Sequence, residues 1–355
     1  MIDQPPSQVI GCGLIGTSVA LALRAQGIEV FLEDADPAVA AQAAARGAGT
    51  VGTTPEPAAV IVAVPPSAAP RTVVEALERW PHAVVTDVAS VKSAVVAAAA
   101  AHPEGHRFVG GHPMAGSERS GPAAASAQLF EGRPWAITPS PGADDDAVRL
   151  VEEIAVMMGA VPIRLEAAAH DDAVALVSHL PHLLSVLTAS RLADAPSSHL
   201  ALAGPGLRDV TRIAGSASGM WIDILDSNAD AVRALLSDVR SDLDRVITAL
   251  DREVGVDAET LAHVLDTGRA GTRLIPGKHG GEPVELSTVH VQIPDSPGAL
   301  SQLFAHTGES GVNIEDLRID HELGRPVGLV EIAVAAERAD VLVAALTERG
   351  WSAYR

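Results

Sequence analysis

The chain has 355 residues, room for about two domains and a small third; 47% are hydrophobic and 20% charged, which excludes a mostly disordered chain. Lys plus Arg number 25 against 45 Asp plus Glu, and the net charge of −20 argues against nucleic-acid binding and against docking on anionic membranes. One cysteine, Cys12, leaves no intrachain disulfide and no cysteine-based zinc site. The opening residues show no basic segment before an apolar stretch, and a reducing, cytoplasmic setting is expected.

Residues 8–10 form a short apolar strand running into Gly11. A glycine turn, Gly11 to Gly16, opens a helix that Gly27 ends, and Glu29–Glu33 form the next strand. Ala58–Val64 is a continuous apolar run stopped by Pro65-Pro66, as expected of a strand buried on both faces. Ala83–Asp87 and Arg107–Gly110 are two more strands, and Trp135–Thr138 and Val161–Leu165 close the sheet. Strand alternating with helix predicts a parallel sheet with crossover helices over residues 1–166. From 167 to 267 the pattern is helical: Ala167–Leu192, Ser197–Leu202, Met220–Leu225, Ala229–Leu250 and Ala258–Asp266. Residues 268–284, rich in Gly, Pro and basic residues, read as a linker. Residues 285–355 follow in βαββαβ order, a ferredoxin-like pattern.

Gly11, Gly13 and Gly16 have the G-x-G-x-x-G spacing, between a strand and a helix, and Asp34 stands 23 residues after Gly11 at the end of the second strand. Gly11 permits the tight turn, Gly13 lets the backbone approach a pyrophosphate, and Gly16 lets helix and strand pack closely. The helix N-terminus offers unpaired N–H groups to phosphates. Cys12, Leu14 and Ile15 complete the loop, and Val64 at the end of the next apolar strand borders the same cofactor position. Asp34 would accept hydrogen bonds from ribose hydroxyls. With Glu33 and Asp36 it would repel a 2′-phosphate, which favours NAD over NADP.

Four further segments stand at strand ends or in the helical part. His112, between glycines and a proline, reads equally as a surface turn histidine or as a rigidly held base. His179 and His182 flank Pro181 and fit a kinked helix or, less well, a metal site with His170, Asp171 and Asp172; no metal is assigned. Arg208 and Arg212 lie one helical turn apart and fit either surface ion pairs or a carboxylate clamp. Trp221 is one of four tryptophans and reads first as core.

Taken together these motifs resemble the prephenate dehydrogenase family, which includes the arogenate dehydrogenases of tyrosine biosynthesis. The resemblance rests on Gly11–Gly16, Asp87-Val88-Ala89-Ser90-Val91-Lys92, Gly111-His112-Pro113-Met114-Ala115-Gly116 with Glu118, Ser178-His179-Leu180-Pro181-His182 and Asp209-Val210-Thr211-Arg212-Ile213-Ala214. Asp295–Leu300 and Gly311–Ile314 resemble an ACT domain, a regulatory amino-acid-binding module. The resemblance implies NAD-dependent oxidative decarboxylation of prephenate to 4-hydroxyphenylpyruvate, with arogenate as the alternative substrate. It implies His112 as the base on the substrate hydroxyl, with Ser90 orienting that histidine or touching the same hydroxyl. It implies Arg212 on a substrate carboxylate, His182 lining the pocket, Glu118 at its mouth and Trp221 in its wall. It further implies a homodimer, and tyrosine as an effector held by Asp295, Pro297, Gly298 and Asn313.

Two rivals come from other chemistry. A hydroxyacid dehydrogenase of the lysine-dependent kind needs a lysine in the helical part, and the two lysines, Lys92 and Lys278, stand elsewhere. A non-catalytic sensor of NAD and an amino acid has no need of the His112, Ser90 and Arg212 set.

Overall fold

The computed structural model describes residues 5–116, 120–253, 255–275, 285–321 and 327–355. The chain forms two compact units, Met1–Arg240 and Ser241–Arg355.

The first unit opens with β1 (Ser7–Ile10), α1 (Leu14–Ala25), β2 (Val30–Glu33), α2 (Pro37–Ala45), β3 (Thr50–Val51), β4 (Ala59–Val62), α3 (Ala69–Arg79), β5 (Val84–Asp87) and α4 (Ser93–Ala100). It continues through β6 (Phe108–Pro113), β7 (Pro134–Pro139), α5 (Asp145–Met157) and β8 (Val161–Arg164). These strands form one sheet in the order β3-β2-β1-β4-β5-β6-β7-β8. All neighbours are parallel except β6 and β7, which run antiparallel. The sheet is therefore mixed where the sequence suggested a purely parallel one. The order reverses at β1 and β4, the switch point outside which doubly wound sheets bind ligands. One core cluster, around Val9, Leu23 and Leu32, lies under α1, α2 and α5; another, around Val60, Leu77 and Phe108, lies under α3 and α4. Burial on both faces explains the uninterrupted apolar run of β4, whose four residues are all buried.

Strand β6 runs further than the sequence suggested. It continues through Gly110 and Gly111 to Pro113, and His112 pairs with Ala136 of β7. The two glycines allow this. A Cβ on Gly111 would stand 2.7 Å from the Asp87 carbonyl oxygen and 2.9 Å from Trp135 Nε1.

Helices follow: α6 (Ala167–Val174), α7 (Leu180–Ser190), α8 (Ser197–Leu200), α9 (Pro205–Thr211), α10 (Ser218–Ser227), α11 (Ala229–Ala249) and α12 (Ala258–Thr272). A π-helical turn, Ala175–His179, joins α6 to α7. Pro181 has no N–H to give the preceding turn and its ring crowds the carbonyl there, so the wider turn relieves both conflicts. The continuous helix Ala167–Ser190 has 24 residues and a most apolar stretch of mean hydropathy 1.4, enough to cross a membrane by length and composition. Its buried face carries His170, Asp171, His179 and His182. Its other face leaves Leu176, Val177, Leu184 and Leu187 exposed. Helix α9 covers residues that showed no helical pattern, and α12 runs to Thr272, into the segment read as linker.

The second unit holds β9 (Leu286–Pro294), α13 (Ala299–Glu309), β10 (Asp316–His321), β11 (Val327–Ala335), α14 (Ala339–Glu348) and β12 (Ser352–Tyr354). The strands lie in the order β10-β11-β9-β12, every pair antiparallel. Strands β9 and β11 alternate buried and half-buried or exposed residues, so one face packs on α13 and α14 through Leu303, Leu342 and Leu346.

Candidate active site

The glycine loop sits at the C-terminal ends of β1 and β4. Gly11 has φ +95°, and a Cβ there would overlap the Ala63 carbonyl. A Cβ on Gly16 would collide with the Gly11 carbonyl, whereas Gly13 faces open space on its far side. That is the division of labour a dinucleotide loop needs: two glycines for packing and one for the ligand. No side chain caps the N-terminus of α1, which leaves its N–H groups to a phosphate. Val64 follows directly in the β4 loop, with its N–H 3.1 Å from where a Gly11 Cβ would stand.

Asp34 ties this loop to β2. Its Oδ2 accepts the Cys12 N–H at 2.6 Å and its Oδ1 accepts the Asp36 N–H at 2.9 Å. The carboxylate is thus fixed beside the loop with lone pairs to spare for ribose hydroxyls. Burial and the Asp34 charge push the Cys12 thiol up to about 12, so it stays protonated. Glu33, expected to repel a 2′-phosphate, instead meets Arg79 with both carboxylate oxygens, at 3.1 and 2.9 Å. Asp36 caps α2 through the Ala38 N–H. Rejection of a 2′-phosphate therefore falls chiefly to Asp34. These residues fit a nicotinamide dinucleotide. Gly11→Ala would force a left-handed φ on alanine and overlap Ala63. It is expected to cost roughly 1–3 kcal/mol and most NAD binding, read by urea denaturation and by NADH fluorescence titration.

The reacting end is built on β5, β6 and α6. Asp87, at the end of β5, is fully buried and ion-pairs with the equally buried Lys92. Its carboxylate also accepts the Ala89 N–H at 2.9 Å and the Gly111 N–H at 3.2 Å, and Lys92 Nζ donates to the Gly111 carbonyl at 2.8 Å. The residue before His112 is therefore clamped by both its N–H and its carbonyl. Burial lowers the pKa of Lys92, against the opposing attraction of Asp87 and Asp171.

His112 Nδ1 lies 2.9 Å from His170 Nε2, and His170 Nδ1 lies 2.8 Å from Asp171 Oδ1. Asp171 also accepts the Lys92 N–H at 2.7 Å and the Ser93 N–H at 2.8 Å, capping α4 from a different helix. Burial opposes its charge, yet the bonds from His170, Ser93 and Lys92 prevail and hold its carboxyl below the usual range. His112 is driven well below the ordinary imidazole value, first by burial and then by His170, Lys92 and His179, with Asp171 pulling the other way.

His182 stacks on Trp221, ring centroids 3.5 Å apart and planes 3° from parallel. Burial lowers its pKa, opposed by a hydrogen bond to the Ile213 backbone. Arg212 begins the short turn Arg212–Gly215, and the Ile213 backbone of that turn bonds His182, which stacks on Trp221. His179, buried and also lowered by burial, lies edge-on to Trp221 and 3.3 Å from Asn228 Nδ2. Asn228 in turn donates to the Asp171 carbonyl at 2.8 Å. Trp221, read first as core, belongs to this cluster. Among the described residues no group of His, Cys, Asp or Glu has the geometry of a metal site.

Ser90 makes no hydrogen bond to His112 among the described residues; His112 Nδ1 meets His170 Nε2. Glu118 lies outside the described residues. His170 and Asp171 stood out in the sequence only as possible metal ligands, and Asn228 was missed. The adjacency of His170 and Asp171 was the available signal, but only the fold shows that they face His112.

Residues 19–164 match the family model "Prephenate dehydrogenase, nucleotide-binding domain", and residues 166–267 match "Prephenate dehydrogenase, dimerization domain". The chain belongs to the prephenate dehydrogenase family. It is 34% identical to the Streptomyces niveus protein named "Probable prephenate dehydrogenase NovF", over 97% of this chain and 98% of that one. The prephenate dehydrogenase of A. aeolicus, solved with hydroxyphenyl propionate and NAD+, superposes with TM-score 0.68 at 26% identity, covering 77% of this chain and 99% of that one. Synechocystis arogenate dehydrogenase superposes with TM-score 0.62 at 27% identity, covering 75% of this chain and 99% of that one.

In the second unit, Asp295, Pro297 and Gly298 line a cavity of about 220 Å³ with Ile293, Ile319 and Gly328. Gly298 starts α13 with φ +90°, a conformation that requires glycine. Asn313 is not among the lining residues, and its side chain bonds Glu315 at 2.7 Å.

Proposed function

We propose that this protein oxidises and decarboxylates prephenate to 4-hydroxyphenylpyruvate with NAD+. The observation that carries the reading is His112, clamped at the end of β6 with a depressed pKa, in a chain of the prephenate dehydrogenase family. NAD+, held by Gly11–Gly16 and Asp34, supplies the hydride acceptor for the hydrogen on ring carbon 4. His112 takes the proton of the hydroxyl on the same carbon as the carbonyl forms. The ring carboxylate then leaves as CO2, and its bonding electrons make the ring aromatic and the carbonyl oxygen a phenolate. His112 returns the proton to that oxygen, so no net proton is released. Ser90 touches the same hydroxyl. Arg212 binds a substrate carboxylate by its guanidinium fork, which offsets the net charge of −20 at the one place where a dianion must bind. His182 and Trp221 line the pocket wall.

Arogenate is the second reading, favoured by the match to the Synechocystis enzyme. NADH formation with each substrate separates the two. Turnover of prephenate well above arogenate supports the main reading; the reverse transfers the same residues to arogenate; turnover of neither, with NAD still bound, revives the sensor.

Because the base must be neutral, kcat/KM should hold through neutrality on its acid side. It should fall only below the free imidazole value of about 6.5, since burial, the largest cause, and the nearby Lys92 charge disfavour its protonation. An acid limb at or above that value in the pH–rate profile would contradict the assignment.

The domain reading completes the proposal: cofactor binding in 1–166, substrate binding and homodimer formation in 167–267, a connecting segment over 268–284, and an ACT-like regulatory domain in 285–355. The exposed apolar face of Ala167–Ser190 and the dimerization-domain match support the homodimer. The βαββαβ order and the cavity at Asp295–Gly298 support tyrosine as effector in that cavity. A biosynthetic enzyme with one buried thiol suits the cytoplasm.

A further inference from the structure

We propose that His170 and Asp171 are positioning residues that lock His112 in its Nδ1–H tautomer, leaving Nε2 as the basic nitrogen. The inference rests on His112 being the base.

The argument is one of hydrogen-bond direction. Asp171 is a carboxylate held by two backbone N–H groups, and it can only accept from His170. The proton of His170 therefore sits on Nδ1. A neutral His170 then has a lone pair on Nε2, which lies 2.9 Å from His112 Nδ1. That nitrogen of His112 must carry its proton, and the opposite nitrogen, Nε2, must carry the lone pair. A free imidazole divides itself between two tautomers; beside a neutral His170 the chain of partners permits one. The two rings meet edge to edge with centroids 5.1 Å apart and planes at 73°, a geometry that an in-plane N–H aimed at a neighbour's lone pair accommodates.

Rigidity reaches the pair from several sides. Asp171 is pinned to the first turn of α4, Asn228 holds its backbone carbonyl, and His170 is 1% exposed. When Nε2 accepts the hydroxyl proton, the imidazolium charge is faced through His170 by the Asp171 carboxylate. The proton stays on His112 until the phenolate takes it back. The relay transfers no proton of its own and adds nothing to the stoichiometry.

Two measurements test this on the full chain. The first is the ring 15N spectrum of the wild-type protein labelled at histidine, with His112 assigned by its loss in His112→Asn. The expected pattern has a protonated Nδ1 and an unprotonated Nε2; a protonated Nε2 in the neutral ring overturns the proposal. The second is steady-state kinetics of His170→Phe and His170→Gln. The phenylalanine variant should lower kcat about 10–100-fold with little change in KM for substrate or NAD. The glutamine variant keeps an acceptor oxygen for His112 Nδ1 and should recover part of the loss. Unchanged kcat in both variants overturns the relay. Turnover surviving in His112→Asn overturns the base assignment itself, a separate failure. If His170→Phe does not fold, the wild-type spectrum and the glutamine variant still decide.

Discussion

His112→Asn is expected to lower kcat/KM by roughly 10²–10⁴-fold while leaving NAD affinity near that of the wild type. Asparagine fills a similar volume but offers no titratable nitrogen, so the hydroxyl proton has nowhere to go as the carbonyl forms. The backbone at the site should hold, because Gly111 is fixed by Asp87 and Lys92 rather than by the imidazole. NAD affinity should hold because the glycine loop and Asp34 are organised by their own contacts, Gly11 against Ala63 and Asp34 against Cys12. Steady-state kinetics and an NADH titration on one preparation check both halves. A variant that keeps its turnover would remove His112 from the reaction, whatever its NAD affinity.

Lys92→Met is expected to be strongly destabilising. Lys92 and Asp87 are both fully buried, and breaking such a pair by removing one partner costs about 3–5 kcal/mol. The loss arises because the buried Asp87 carboxyl loses its counter-charge and retains the Ala89 and Gly111 N–H groups, and because the Gly111 carbonyl loses its donor. Urea denaturation followed by circular dichroism measures the effect. Adding Asp87→Asn should recover part of the loss by removing the stranded charge. Full recovery is not expected, since one backbone N–H then faces an amide NH2 instead of an oxygen. An unaltered denaturation midpoint in Lys92→Met would show that the pair does not hold the strand ends together.

Much of this protein was legible in the sequence because its signals are local. The glycine spacing from Gly11 to Gly16 and the acid at Asp34 describe a turn and a strand end that close within one βαβ unit. The apolar run of β4 reports burial on two faces, and the alternation in β9 and β11 reports burial on one. His112, His182 and Arg212 stood out because rigid or charged residues recur in short motifs. The antiparallel direction of β7 and the two-residue β3 were not legible, since strand pairing is selected by neighbours rather than by a strand's own propensity.

By itself, the sequence determined the class of chemistry: a dinucleotide loop, a candidate base, a candidate carboxylate clamp and a small βαββαβ module. Only the tertiary structure decided how these act. It neutralised Glu33 with Arg79, which leaves Asp34 as the main carboxylate against a 2′-phosphate. It gave His112 a partner 58 residues away in the chain, His170. It turned Lys92 and Asp171, from different secondary-structure elements, into the clamp and the anchor of that site. The physical reason is common to all three. Charges and hydrogen bonds act over a few ångströms, and which groups come that close is settled by packing, not by their separation along the chain.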